Sequence, residues 1–290
     1  MKTIEKAYGK INLVLDVVAA RADGFHDLEM IMETVALYDT VCIEVLDGTP
    51  GVHLTTNRKF LPTDRRNNAT QAAELFFAAL GRPLPKLVIS IEKRIPVSAG
   101  MAGGSANAAA VLRGLNRLYD APFSLAQLCA IGLEIGTDVP YCLQGQTRRA
   151  SGRGEILERT DPLPDCYIVL AKPPFSNRTP QMFGRLARLE KQHKADVGGM
   201  LRALASAEVK EVAARLYNVF EDVLGGREEE IFRIKMSLLD HGAVGALMTG
   251  TGSTAYGLFT HEEKAKRAYE ALAGQYEEVY CTKNFREALI

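Results

Sequence analysis

The chain has 290 residues, 47% of them hydrophobic and 24% charged, an ordinary globular balance that excludes disordered, collagen-like and coiled-coil chains and leaves room for two domains or one large one. Lys and Arg total 35, and so do Asp and Glu. No net field gathers nucleic acid or anionic lipid, so any anion binding has to come from a local site.

From the N-terminus, the stretch around Tyr8, Lys10, Ile11 and Asn12 reads as a strand. Alternation of apolar and polar residues over 40–45, 51–55 and 86–92 predicts strands with one buried face. Between the last two, Asn67 or Asn68 caps a helix to Leu80, on which Ala72, Leu75, Phe76, Ala79 and Leu80 recur at helical spacing, with Gly81 as its stop. A glycine loop, 96–105, follows the strand 86–92 and leads into a helix over 106–116 that is apolar on one side. A second helix opens at Ser124, where Gln127 completes a capping box, and closes near Gly136, just ahead of the turn Thr137-Asp138-Val139-Pro140.

The second half changes character. It reads as a strand over 166–171, helical stretches over 180–192, 197–217 and 227–241 with a break at Gly225 and Gly226, strands over 243–248 and 254–259 around a second glycine stretch at 249–253, a helix over 261–274 and a last strand near 277–282. Within this half, the side chains of Val209, Val212, Leu216 and Tyr217 read as core. Strands and helices without strict alternation predict an α+β fold, with a domain boundary inside 150–165.

Three places carry chemistry. In the segment Gly100-Met-Ala-Gly-Gly-Ser105, glycines permit positive φ and keep side chains out of a ligand's path, while the following helix offers free N–H groups and the positive end of its dipole. That is a phosphate cradle or, in the plainer reading, a tight packing turn; it is neither a P-loop nor a dinucleotide fingerprint. Ser105 is a helix N-cap or a phosphate and magnesium contact. Asp138 is a helix cap or a general base. Lys10 is a solvated lysine or, beside Asp138, a group that keeps the carboxylate ionised and neutralises charge on a transferring phosphoryl group.

The five histidines show no metal-binding spacing, and no hydrolase nucleophile elbow is present. The pair Arg148 and Arg149 reads as a solvated edge. Cys42, Cys129, Cys142, Cys166 and Cys281 are scattered and form no CxxC pair, which points to reduced thiols in a cytoplasmic protein and not to disulfides or zinc. Glu5, Asn12 and Asp16 interrupt the apolar N-terminal run, and no segment approaches the roughly 20 apolar residues of a membrane span.

Residues 95–109, Ile-Pro-Val-Ser-Ala-Gly-Met-Ala-Gly-Gly-Ser-Ala-Asn-Ala-Ala, resemble the central phosphate loop of the GHMP kinases, and 247–256, Leu-Met-Thr-Gly-Thr-Gly-Ser-Thr-Ala-Tyr, resemble their C-terminal glycine motif. Segments 10–15, 21–26, 61–67, 136–143 and 152–155 further resemble, in the same order, the branch of that family whose substrate is a methylated four-carbon sugar alcohol carried on cytidine diphosphate. The departures are Phe25 in place of the usual Tyr, Ser253 in place of a common Pro, and Ser98, Ala99 and Ala106 where Gly or Ser is frequent.

The resemblance implies a two-domain fold with an N-terminal domain (1–157) like the second domain of a ribosomal small-subunit protein, a ferredoxin-like C-terminal domain (158–290), and the active site between them. It implies ATP and Mg²⁺ as cofactors, Asp138 as base toward a tertiary hydroxyl, and Lys10 orienting it. The ATP site would comprise Pro96, Val97, Ser98, Ala99, Gly100, Met101, Ala102, Gly103, Gly104, Ser105 and Ala106, with Asn67 and Lys93, and Ser105 would be the metal contact. Asn12, Phe25, His26, Thr179 and Phe183 would hold the substrate, the cytosine stacked between Phe25 and Phe183 with His26 bonding its edge, although plain core packing also accounts for the two phenylalanines. Neither nucleic acid nor membrane is an expected partner, and the molecule is expected to be a monomer or weak homodimer. Two other functions fit the same motifs: a GHMP-type kinase of another small alcohol such as homoserine or a sugar, and a silent nucleotide-binding paralogue acting as a sensor.

Overall fold

The computed structural model describes residues 1–189 and 193–289. The chain runs β1 (Lys2–Ala20), β2 (His26–Leu46), β3 (Gly51–Thr56), α1 (Asn68–Leu80), β4 (Lys86–Glu92), α2 (Gly103–Leu118), α3 (Leu125–Leu133), α4 (Asp138–Gln144), β5 (Arg148–Ser151) and β6 (Ile156–Arg159). It continues through β7 (Tyr167–Lys172), α5 (Thr179–Leu186), α6 (Val197–Ala205), α7 (Val209–Ala213), β8 (Tyr217–Asn218), a 3₁₀ turn (Val219–Val223), α8 (Glu228–Asp240), β9 (Gly245–Met248), β10 (Ala255–Phe259), α9 (Glu262–Ala273) and β11 (Glu278–Lys283). The α+β expectation holds.

Seven strands form the first sheet, in the order β3-β4-β2-β1-β8 with β5 and β6 attached through β2. β2 is 21 residues long and changes neighbour along its length: Thr40 to Leu46 pair with β4, and Met30 to Met32 pair with β5. Helices α1 to α4 stack over this sheet. The central one, α2, is buried on nearly every side from Ala106 to Asn116. Its small residues let it sit close to the sheet, and at Gly114 an added Cβ would lie 2.5 Å from Ile43 Cδ1. The second sheet, β11-β7-β10-β9, is antiparallel and carries α8 and α9. No helix among the described residues is long and apolar enough to cross a membrane.

Several sequence expectations are corrected. Asp138 opens a short helix and does not lie in a turn. The stretch expected as one helix over 197–217 is two helices and a two-residue strand, divided at Ala207, whose φ of +56° ends α6. Val209 and Val212 are buried as expected, but Leu216 and Tyr217 lie outside any helix and are only partly covered. The stretch over 180–192 is helical only to Leu186, and 190–192 lie outside the described residues. Arg148 is buried, its Nε donating to the Gly145 carbonyl at 2.9 Å, and Arg149 bridges Glu29 and Glu158, so this pair is no solvated edge. A division at 157/158 falls inside β6, which still belongs to the first sheet; β8 and the isolated bridge from Val35 to Asn284 bring the second half back onto it.

Candidate active site

A cleft of about 1030 Å³ opens between the two sheets, lined by Lys10, Asn12, Phe25, His26, Ser98, Gly100, Ala102, Asp138, Thr179 and Phe183 together with the second glycine loop, Gly250 to Gly252. Lys10 reaches it from the middle of β1 with its side chain buried, and Lys10 Nζ donates to Asn12 Oδ1 at 2.6 Å. Burial pulls the Lys10 ammonium below the usual lysine range, opposed by the charge of Asp138 and by the Cys142 thiol. Lys10 and Asp138 line the same cleft, and the sequence alone does not show it. Asp138 is half-buried at the first position of α4, whose Val139, Tyr141 and Leu143 are buried and fix the helix. Tyr141 Oη donates to the Gln146 carbonyl at 2.7 Å and lies 3.0 Å from Thr34 Oγ1, which ties α4 to β2.

The phosphate loop adopts left-handed backbone at Ser98 (φ +53°), Gly100 (+78°) and Ala102 (+55°), whereas Gly103 and Gly104 are already helical. Ala102 is the N-cap of α2 and makes no side-chain cap, so the first N–H groups of the helix stay open to an anion. Ser105 lies inside the first turn and is not the cap. Glycine at 100 answers to the other loop: a Cβ there would lie 2.0 Å from the Thr249 carbonyl oxygen, and one on Gly250 would lie 2.7 Å from the Gly100 carbonyl oxygen. Thr254 N donates to the Ala99 carbonyl at 3.3 Å, completing a backbone-to-backbone seam between the two glycine loops.

Asn12, expected to hold substrate, is fully buried and committed to that seam. Its Oδ1 also accepts from Gly250 N at 3.1 Å, its N–H donates to Thr249 Oγ1 at 3.0 Å, and its carbonyl accepts from Tyr256 Oη at 2.8 Å. Lys93, expected at ATP, sits behind the loop: Lys93 Nζ donates to Asp39 Oδ2 at 2.5 Å and to Asn107 Oδ1 at 3.0 Å. Asp39 takes three further donors, Asn107 Nδ2, Arg94 N and Ile95 N, at 2.8, 2.7 and 2.8 Å. Asn67 caps α1, its Oδ1 accepting from Ala69 N at 3.0 Å. Neither Asn67 nor Lys93 lines the cleft.

At the other end of the cleft, His26 stacks on Phe183 with centroids 4.6 Å apart and planes 28° apart, and the Arg153 guanidinium lies 5.1 Å from the centre of the exposed Phe25 ring. One face of Phe183 is thus taken by the imidazole, and the guanidinium lies against one side of Phe25. Thr179 Oγ1 lies 3.2 Å from Thr251 Oγ1. The residues that sequence reasoning passed over are Asp39, Arg153, Arg178 and Thr249. The flanking glycines were the signal available for Arg153, and Asp39 offered none.

A metal would find no ready cage, since no cluster of three His, Cys, Asp or Glu occurs among the described residues. Mg²⁺ bound with a nucleotide needs only one or two protein oxygens beside phosphate and water, and the partly exposed Ser105 and Asp138 offer those. All five cysteines are free thiols.

Residues 67–146 match the family model described as the GHMP kinases N terminal domain, and 200–278 match that of the GHMP kinases C terminal domain. The chain is 42% identical over 282 residues to a 4-diphosphocytidyl-2-C-methyl-D-erythritol kinase of Lachnoclostridium phytofermentans, covering 97% of this chain and 96% of the relative. It is 41% identical over 287 residues to the enzyme of the same name from Enterococcus faecalis, covering 99% and 100%. The crystal structure of a 4-(cytidine 5'-diphospho)-2C-methyl-D-erythritol kinase superposes with a TM-score of 0.83 at 31% identity, covering 98% of this chain and all of that one. With the seam of two glycine loops and the Lys10–Asp138 pair in one cleft, these similarities run the length of both sheets, and the chain belongs to the GHMP kinase family, among its 4-diphosphocytidyl-2-C-methyl-D-erythritol kinases.

Proposed function

We propose that the cleft transfers the γ-phosphoryl group of ATP to the 2-hydroxyl of 4-diphosphocytidyl-2-C-methyl-D-erythritol, a step of the non-mevalonate route to isoprenoids. The observation that carries this reading is the single cleft lined at once by Lys10 and Asp138, the phosphate loop, and the aromatic group Phe25, His26 and Phe183. Full-length similarity to enzymes bearing that name supports it.

Phosphoryl transfer asks a protein mainly for alignment and charge neutralisation. In this reading the carboxylate of Asp138 accepts the proton of the attacking hydroxyl. Lys10, desolvated and held by Asn12, puts an undiluted positive charge where the oxyanion builds up. The amides of the loop from Pro96 to Ala106 and the open first turn of α2 receive the phosphates. Ser105 and Asp138 are the oxygens that would hold a Mg²⁺ accompanying ATP, which would supply neutralisation of phosphate charge. Asn12 contributes by fixing Lys10 and joining the loops, and Lys93 by supporting the loop from behind. The enzyme works in the cytoplasm on a small molecule, without nucleic acid or membrane.

ADP release, measured with ATP and Mg²⁺ against the cytidylated substrate and separately against methylerythritol, homoserine, galactose and mevalonate, tests the reading. Turnover confined to the cytidylated compound is the expected result. Turnover with one of the other alcohols instead would move the substrate, and ATP binding without turnover on any of them would make the chain a sensor.

A further inference from the structure

A cytidine diphosphate group brings two phosphate charges that an aromatic pocket cannot neutralise. Two arginines outside the expected set line the same cleft, Arg153 and Arg178. Arg178 is the N-cap of α5, a position that favours Ser, Thr, Asn or Asp and, at the positive end of the helix dipole, disfavours a cation. Its side chain makes no cap and is exposed, and it has no ion pair or side-chain hydrogen bond among the described residues. Nothing in the packing calls for arginine there. A residue that breaks its local rule without a structural gain points to a ligand.

Arg153 is presented differently. It sits in the β5–β6 turn between Gly152 (φ +67°) and Gly154 (φ +108°), and its backbone N–H donates to Glu155 Oε2 at 2.6 Å, so the turn is stiff. Its guanidinium rides on Phe25, with the nearest carboxylate oxygen, on Glu155, 3.6 Å away, and its charge also reaches Asp23. It is thus a cation with loosely held counter-ions at the mouth of the aromatic pocket, while Arg178 is a cation with none among the described residues.

We propose that Arg178, assisted by Arg153, binds the diphosphate of the substrate and sets the preference of this chain for a diphosphate-bearing alcohol. The proposal rests on the kinase reading above. It assigns the affinity for the phosphates to two guanidiniums from separate elements and leaves the base to Phe25, His26 and Phe183. Planar forked donors of this kind match phosphate oxygens in a way that a lysine does not.

Calorimetric titration with cytidine and with cytidine diphosphate, on the wild type, R178Q, R178K and the R153Q/R178Q double variant, tests it in the absence of turnover. The wild type should bind the diphosphate about 10–100-fold more tightly than the nucleoside, with the preference shrinking as salt rises. In R178Q that ratio should shrink while the affinity for cytidine, the KM for ATP and the melting temperature stay as in the wild type, and in the double variant it should fall to near one. R178K should keep part of the preference. If the double variant retains the full ratio, or loses nucleoside and diphosphate alike, the proposal is wrong. A wild type that binds neither compound sinks the cytidylated-substrate reading itself, so the two failures are told apart.

Discussion

Lys10 differs from an ordinary strand lysine in one respect, the loss of water around its ammonium, and this makes its charge effective. Replacing it by Ala removes a preorganised cation, and turnover should fall about 10²–10³-fold, the usual loss for one electrostatic stabiliser. Asp138→Asn keeps the shape and removes the base, with an expected loss of about 10²–10⁴-fold. Steady-state ADP release from variants whose melting curves match the wild type checks both, and near-normal turnover in either would remove that residue from the mechanism. Because burial lowers the affinity of Lys10 for its proton, the alkaline decline of kcat/KM should set in below 10.5, the ordinary lysine value. Taken alone, Lys10 reads as a solvated lysine and Asp138 as a helix cap, and it was the resemblance of segments 10–15 and 136–143 to the kinase family that singled them out. That both line one cleft was not legible, because it depends on how α4 docks on β1. Asp39 was invisible for a related reason: a strand aspartate looks solvated until its four donors, one from α2 and three from the loop between β4 and α2, are seen together.

The elements around the phosphate loop are held by two devices of different kinds. One is the Asp39–Lys93–Asn107 network, buried beneath the point where β4 turns into the loop. Asp39→Ala would strand the Lys93 ammonium without its carboxylate and leave two backbone N–H groups unpaired, at a cost of about 3–5 kcal/mol, read as a lower urea midpoint with an unchanged slope. The other is the seam of the glycine loops. Gly100→Ala meets the Thr249 carbonyl oxygen and also needs a φ that alanine disfavours, so it should cost about 2–4 kcal/mol and raise the KM for ATP, since the loop can relax only by leaving its partner. A melting temperature and a KM both equal to the wild type would show that the seam is not needed. Most elements were readable from periodicity, and the caps at Asn67 and Ser124 were found where the sequence put them. The full lengths of β1 and β2 were not, because Glu29, Glu33 and Asp39 interrupt the apolar alternation of β2. The structure accommodates them with a salt bridge, a hydroxyl and a buried network.

At the scale of the whole molecule, the two halves are joined by more than the active-site seam. Tyr217 and Asn218 extend the first sheet as β8, Phe285 N donates to the Thr34 carbonyl at 2.8 Å, and Gln146 Nε2 donates to the Arg286 carbonyl at 2.8 Å. Glu33 lies at the centre of this second junction. It is buried in β2 and accepts from Thr147 Oγ1, which in turn accepts from Leu163 N at 2.8 Å, and the charge of Arg286 acts on it. Burial raises the Glu33 carboxyl from 4.5 to about 8, outweighing the opposing effects of Thr147 and Arg286. Below pH 4.5 the carboxyl is protonated in both the folded and unfolded chains, and its contribution to stability is fully present. As pH rises from 4.5 toward 8, the unfolded chain releases the proton and the folded one keeps it, so stability falls; above about 8 the loss is complete. At about 1.4 kcal/mol per unit the loss amounts to roughly 5 kcal/mol at most. Glu33→Gln copies the neutral carboxyl and cannot ionise. Urea denaturation from pH 5 to pH 9 should therefore find the variant close to the wild type at pH 5 and more stable by several kcal/mol at pH 9. Its midpoint should stay nearly flat where that of the wild type declines. Parallel curves for the two proteins would mean that Glu33 is ionised in the folded state and that the junction between the halves already holds a buried charge.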